Sequence, residues 1–88
     1  MTWNRDAVLA ELFKVFTQHK HTDAEVSESS QIVGDLGIDS LGVMEVLADI
    51  EDTFTINIPD EALKDINTIA DVAGAIVTRL ESDGRFSA

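Results

Sequence analysis

Apolar residues recur at helical spacing through most of the chain. Leu9, Leu12, Phe13 and Phe16 stand at i, i+3, i+4 and i+7, the signature of one helix face. Asn4 is a candidate N-cap and Asp6 falls in the first turn, where the helix dipole favours an acid, so a helix is predicted over about residues 4–20. Residues 21–38 break the period. They begin polar (HTDAEVSESS) and then carry Ile32, Val33, Leu36 and Ile38 around Gly34 and Gly37. Loops beyond about 12–15 residues are uncommon in small domains unless they are functional or disordered. The spaced apolar residues predict that this one is pinned to the core.

The helical period resumes over residues 40–54, where Val43, Leu47, Ile50 and Phe54 form a stripe and Asp39 precedes it as a cap. Leu41, Met44 and Ala48 lie off that stripe, apolar where a surface helix is ordinarily polar. Asn57-Ile58-Pro59 interrupts the chain, and Asp60 is expected to cap a short helix near residues 61–66 that offers Leu63 and Ile66 to the core. Thr68 and Asp71 have capping-box spacing, with Asp in the place of Glu, and open a last helix whose stripe is Ile69, Val72, Ala73, Ile76 and Leu80. Arg79 suits its last turn and Gly84 its stop, and the residues beyond are expected to fray. No segment shows convincing strand alternation; residues 54–58 alternate weakly but are few and end in Pro59. The pattern predicts an all-α fold, a small four-helix bundle of three main helices and one short helix with a long first loop.

With 88 residues the chain has room for a single domain, residues 1–88, and one small core. Cysteine is absent, which excludes disulfides, thiolate metal sites and thiol nucleophiles. No apolar run approaches the roughly 18–20 residues that span a bilayer. The N-terminus has acids interleaved and no small-residue cleavage site, so the expected location is the cytoplasm.

Charge changes the picture more. Six Lys and Arg stand against 17 Asp and Glu, a net charge of −11 that argues against nucleic acid and anionic membrane surfaces as partners. Between Lys20 and Lys64 there are 11 acids and no Lys or Arg, so the middle of the chain carries the whole net charge. Such a window is either a solvated surface or a docking face for basic partners. Its acids are expected to repel one another in the compact fold.

Little in the chain suits catalysis. His19 and His21 flank Lys20, but positions i and i+2 do not face each other on a helix, and they read as solvated residues near a helix C-terminus. The many carboxylates occupy no evident apolar pocket that would tune them, and no calcium-loop pattern is present. Ser40 stands apart. It lies in Gly34-Asp35-Leu36-Gly37-Ile38-Asp39-Ser40-Leu41, where loop becomes helix. A serine there is ordinarily a cap. A hydroxyl at a helix N-terminus also sits beside orphan N–H groups and the positive end of the dipole, where a phosphate ester is well tolerated. Nothing nearby reads as a base, so Ser40 is a better candidate for modification by another enzyme than for a nucleophile.

Residues 32–80 resemble the acyl carrier proteins, the phosphopantetheine-bearing four-helix domains of fatty-acid and polyketide synthesis. The resemblance rests on Asp35-Leu36-Gly37-Ile38-Asp39-Ser40-Leu41, on Glu45, on Ile50-Glu51-Asp52-Thr53-Phe54, and on Ile58-Pro59-Asp60-Glu61, correctly spaced by the second helix. It implies that Ser40, flanked by Asp39 and Leu41, carries 4′-phosphopantetheine from coenzyme A as a phosphodiester. The thiol of that arm would hold acyl groups as thioesters, and the chain would be a carrier rather than an enzyme. It also implies a phosphopantetheinyl transferase and ketosynthase- or acyltransferase-type enzymes with basic docking patches as partners. They would meet Leu41, Met44 and Ala48 as an apolar centre and Asp39, Glu45, Glu51 and Asp52 as an acidic rim. Val43, Leu47, Phe54, Ile58, Leu63 and Ile66 would line an acyl cleft. The carrier is expected to be monomeric.

Gly42 departs from the acid common in fatty-acid carriers and also occurs among carriers of secondary metabolism. Gly37-Ile38-Asp39-Ser40 departs from the pattern common in peptidyl carriers. The alternatives are a small acidic helical interaction module without a prosthetic group, and an aminoacyl or peptidyl carrier.

Overall fold

Asn4 opens the first helix, α1 (Arg5–His19), by accepting the Ala7 amide on its side-chain oxygen at 2.8 Å. The structure is a computed structural model that describes residues 2–87, the side chains of Asp60 and Leu63 excepted. The buried face of α1 is Val8, Leu12, Val15 and Phe16, with Leu9 and Phe13 half-buried beside it. The expected stripe is therefore rotated. The helix packs against both of the other long helices, which widens its apolar arc and centres it on Val8 and Leu12.

The second helix, α2, spans Ser40–Phe54 and buries Val46, Leu47, Ile50 and Phe54, leaving Val43 half-buried at the edge of the stripe. It is followed by the short α3 (Asp60–Leu63), with Pro59 at the N-cap position. Asp60 is thus the first residue of α3 rather than its cap, and the helix ends before the expected residue 66. The last helix, α4 (Ile69–Ser82), is set by a complete capping box. The Asp71 amide donates to Thr68 Oγ1 at 3.3 Å and the Thr68 amide to Asp71 Oδ2 at 2.9 Å. Its whole predicted stripe is buried, from Ile69 to Leu80. Gly84 (φ +70°) stops it, with the Gly84 amide donating to Glu81 O and the Arg85 amide to Leu80 O, the paired bonds of a Schellman motif.

The long first loop is pinned as expected through Ile32, Leu36 and Ile38, all buried, whereas Val33 is 64% exposed. Backbone bonds hold it against the start of α4. The Ile32 amide donates to Asn67 O at 3.0 Å and the Ile69 amide to Ser30 O at 3.2 Å. Ser30, the buried polar residue of the loop, accepts the Ser27 amide and donates to Glu25 O, so its burial leaves no orphan. Asp35 closes the turn before the site by accepting the Gln31 amide at 2.8 Å.

Trp3 and residues 85–87 are tied together rather than frayed. Trp3 N–H donates to Arg85 O and Ser87 N–H to Trp3 O, each at 2.7 Å, and the Trp3 ring lies 4.5 Å from that of Phe54. Arg85 in turn donates to the Phe54 and Thr55 carbonyls at 2.6 and 3.0 Å, groups that a helix C-terminus leaves unpaired. Thr55 is left-handed (φ 54°), an uncommon conformation for a β-branched residue, and its carbonyl is one of the two that Arg85 holds. The described residues form no strand beyond the isolated bridges Trp3–Phe86 and Gln31–Thr68, and the fold is the all-α bundle predicted. Among them no helix is long and apolar enough to cross a membrane.

Candidate functional site

Ser40 is the first residue of α2 and is exposed. Two neighbours put it there. Ile38 is fully buried and anchors the loop to the core. Asp39 then runs extended (φ −79°, ψ −179°) and caps the helix, its Oδ1 accepting the Gly42 amide at 2.8 Å. One oxygen of the Asp39 carboxylate is thus engaged by the backbone. The Ser40 hydroxyl makes no hydrogen bond to any described residue. It is an unengaged, solvent-facing alcohol at the positive end of a four-turn helix, which fits a phosphodiester attachment point.

Gly42, which departs from the carrier pattern, has a packing reason. A Cβ at this position would lie 2.7 Å from Ile38 Cγ2 and 3.3 Å from the capping Asp39 Oδ1. A side chain here would require buried Ile38 or the cap to shift.

Along the outer side of α2, Leu41 and Met44 are each 67% exposed, and Glu45, Ala48 and Asp52 are exposed with them. The carboxylates of Glu45 and Asp52 have no partner among the described residues. Two other expected rim acids are engaged by the protein itself: Asp39 in its cap, and Glu51, which is half-buried and accepts the Ile58 amide on Oε2 at 2.9 Å. Val33 is a third exposed large apolar residue, contributed by the loop.

His19 is not simply solvated. Its Nε2 lies 2.7 Å from Asp49 Oδ2, an ion pair when the ring is protonated, and it joins α1 to α2. Arg5 pairs with Glu28 at 2.8 Å. Both contacts reach into the acidic window from outside it. Among the described residues Asp71 is the acid with a clear shift: the Thr68 amide, then the Asn67 amide, hold its carboxyl below the ordinary 3.8. Among the described residues no group of three or more His, Asp or Glu is placed to hold a metal ion.

An apolar cavity of about 70 Å³ opens between α1, the first loop, α2 and the start of α4. Val43, Leu47 and Ile66, expected in a cleft, are in its wall. Phe54 and Ile58 are not: Phe54 is buried against Trp3, and Ile58 is held by Glu51. The side chain of Leu63 lies outside the described residues. The rest of the wall is Phe16, Ile32, Val33, Val46, Asn67 and Val72. Spacing along α2 alone does not reveal these residues. The apolar run in the loop and the α4 stripe were the available signals for Ile32, Val33 and Val72.

Three long helices and one short one, with an unengaged serine opening the second, make a small all-α bundle with one candidate attachment hydroxyl. The family model for the phosphopantetheine attachment site matches residues 7–76. An acyl carrier protein of Rhodococcus erythropolis is 31% identical over 85 residues, 96% of this chain and 92% of that protein. One of Phenylobacterium zucineum is 38% identical over 74 residues, 83% of this chain and 94% of that protein. Among solved structures, the acyl carrier protein of Enterococcus faecalis superposes with a TM-score of 0.72 at 34% identity, covering 90% of this chain and 99% of that one. That of Thermotoga maritima gives 0.73 at 25% identity, covering 90% and 93%. The chain belongs to the acyl carrier protein family, whose covalent cofactor is 4′-phosphopantetheine.

Proposed function

We propose that Ser40 is the attachment residue and that the chain is a non-catalytic, cytoplasmic, monomeric carrier, its residues 1–88 acting as one domain. The observation that carries this reading is the exposed, unengaged Ser40 hydroxyl opening α2 beside the Asp39 cap. In the modification, Ser40 Oγ attacks the phosphorus of coenzyme A that bears the pantetheine. A new P–O bond forms, the P–O bond to the second phosphorus breaks, and 3′,5′-adenosine bisphosphate leaves. The serine proton passes to a base of the transferase. Once attached, the group supplies a flexible arm whose thiol carries acyl intermediates as thioesters, here in fatty-acid or polyketide-type biosynthesis.

Leu41, Met44 and Ala48 form the apolar centre of the surface that meets the transferase and the biosynthetic enzymes, with Glu45 and Asp52 as its free charges. A small apolar centre with exposed acids gives fast, salt-sensitive encounters and easy release. The cavity beside Val43 shelters the acyl chain.

The test is mass spectrometry after incubation with coenzyme A and a promiscuous phosphopantetheinyl transferase. The protein should gain one phosphopantetheine, and Ser40→Ala none. A wild-type protein that gains no mass points instead to an acidic interaction module.

A further inference from the structure

Among the described residues, the wall of the apolar cavity holds a single polar one, Asn67. Its place in the chain makes that unexpected. Thr68 is the N-cap of α4, so Asn67 immediately precedes the cap and Val72 is the fourth residue of the helix. An apolar pair often occupies those two positions and staples the entering chain to the first turn. Val72 is buried and supplies its half. A leucine at position 67 would complete both the staple and the apolar wall. Asparagine supplies neither, and places a polar side chain at the rim of an otherwise apolar wall.

The backbone of Asn67 is held from two sides. Its N–H donates to Asp71 Oδ2 at 3.0 Å and its carbonyl accepts the Ile32 amide at 3.0 Å. The carboxamide itself makes no hydrogen bond to any described residue, which leaves an acceptor and two donors for a ligand or water. Asn67 and Val33 are the exposed members of the wall, whereas Phe16, Val46 and Val72 are buried. Asn67 and Val33 therefore mark the mouth and the buried residues the floor. An acyl chain entering from solvent keeps its thioester end at the mouth, so the atoms that meet Asn67 belong to its first carbons.

We infer that Asn67 selects the cargo: its carboxamide hydrogen-bonds an oxygen on the carbons next to the thioester. The protein shelters 3-hydroxyacyl or 3-oxoacyl groups in preference to saturated chains of the same length. This rests on the reading that Ser40 carries the arm. An oxygen brought to an apolar wall without a partner would lose its hydrogen bonds to water. The carboxamide replaces them, and a neutral hydrogen bond of this kind is worth roughly three- to tenfold in occupancy. The cavity volume of about 70 Å³ suits a four-carbon probe.

The experiment loads the apo protein with butyryl-coenzyme A or 3-hydroxybutyryl-coenzyme A through the promiscuous transferase. Mass spectrometry checks the loading. Cleavage of each thioester by hydroxylamine is then timed against the same acyl group on free coenzyme A. In the wild type, the normalised cleavage of the 3-hydroxybutyryl form should be roughly three- to tenfold slower than that of the butyryl form. Asn67→Leu should abolish this difference without exposing the butyryl form, and Asn67→Thr, which keeps a hydrogen-bonding group, should retain part of it. The Asn67 side-chain amide resonances should move on 3-hydroxybutyryl loading and stay in place on butyryl loading, a readout that needs no variant to fold. Equal protection of both groups in the wild type, or equal loss for both in Asn67→Leu, overturns the inference and leaves the Ser40 reading standing. Failure of either donor to add mass overturns the Ser40 reading and the inference with it.

Discussion

The guanidinium of Arg85 donates to the carbonyl oxygen of Phe54 at 2.6 Å, joining residues 31 positions apart in the chain. A cation on the last carbonyls of α2 satisfies orphan acceptors and complements the negative end of the helix dipole. Because Arg85 O also accepts the Trp3 amide, the same residue ties both chain ends to the helix that Ser40 opens.

Arg85→Ala should therefore lower stability by about 1–2 kcal/mol, discounting the usual value for hydrogen bonds to a charged group because the site is only part-buried. For a domain of this size that lowers the melting temperature by roughly 4–15 °C. Trp3 is the sole tryptophan, so its emission should shift to the red in the variant as its packing on Phe54 loosens. Unchanged emission and melting would show that the clasp contributes nothing.

Gly42→Ala should destabilise, against the propensity scale. Alanine is better than glycine in a helix interior by about 0.8–1 kcal/mol. Its methyl would lie 2.7 Å from Ile38 Cγ2, and overpacking of a tight contact costs about 1–3 kcal/mol. A calorimetric melt decides the sign; a more stable variant means that Ile38 moves aside freely.

Glu45→Lys and Met44→Asp should slow transfer of phosphopantetheine roughly two- to tenfold at low salt, with helicity unchanged, because both side chains are exposed on the outer side of α2. The Glu45→Lys defect should shrink as salt rises and screens the encounter. Wild-type rates for both variants would place the docking surface elsewhere.

Asp71 gives a pH dependence of definite sign. Its folded pKa is depressed below 3.8 by the Thr68 and Asn67 amides, so its contribution is complete above the unfolded value and is lost as pH falls through the lower folded one. Asp71→Asn should melt below the wild type at neutral pH, and the gap should close as the pH is lowered through and below 3.8. A gap that is constant down to the acid limit would contradict this.

The acidic window predicts a salt response. The 11 acids between Lys20 and Lys64 have no Lys or Arg among them; among the described residues Arg5 pairs with Glu28 from outside the window, as His19 does with Asp49 when its ring is protonated. Sodium chloride should raise the melting temperature by screening over a Debye length of about 8–10 Å near physiological strength, and magnesium chloride should do more per ion. A melting temperature that falls on adding salt would mean that these pairs outweigh the repulsion.

The amino-acid sequence by itself determined the three long helices, the caps at Asn4, Asp39 and Thr68, and the position of Ser40 at a loop-to-helix junction. Each depends on residues within about four positions of one another, where spacing and hydrogen-bonding capacity are legible without tertiary context. Tertiary structure decided what those elements meet. It turned Glu51 inward to Ile58, set Arg85 on Phe54, joined His19 to Asp49, and assembled the cavity wall from α1, the loop, α2 and α4, including Asn67. These contacts join distant segments, or follow from how one helix is rotated against its neighbours. Helical periodicity records which face is apolar, but not which distant side chain will close over it.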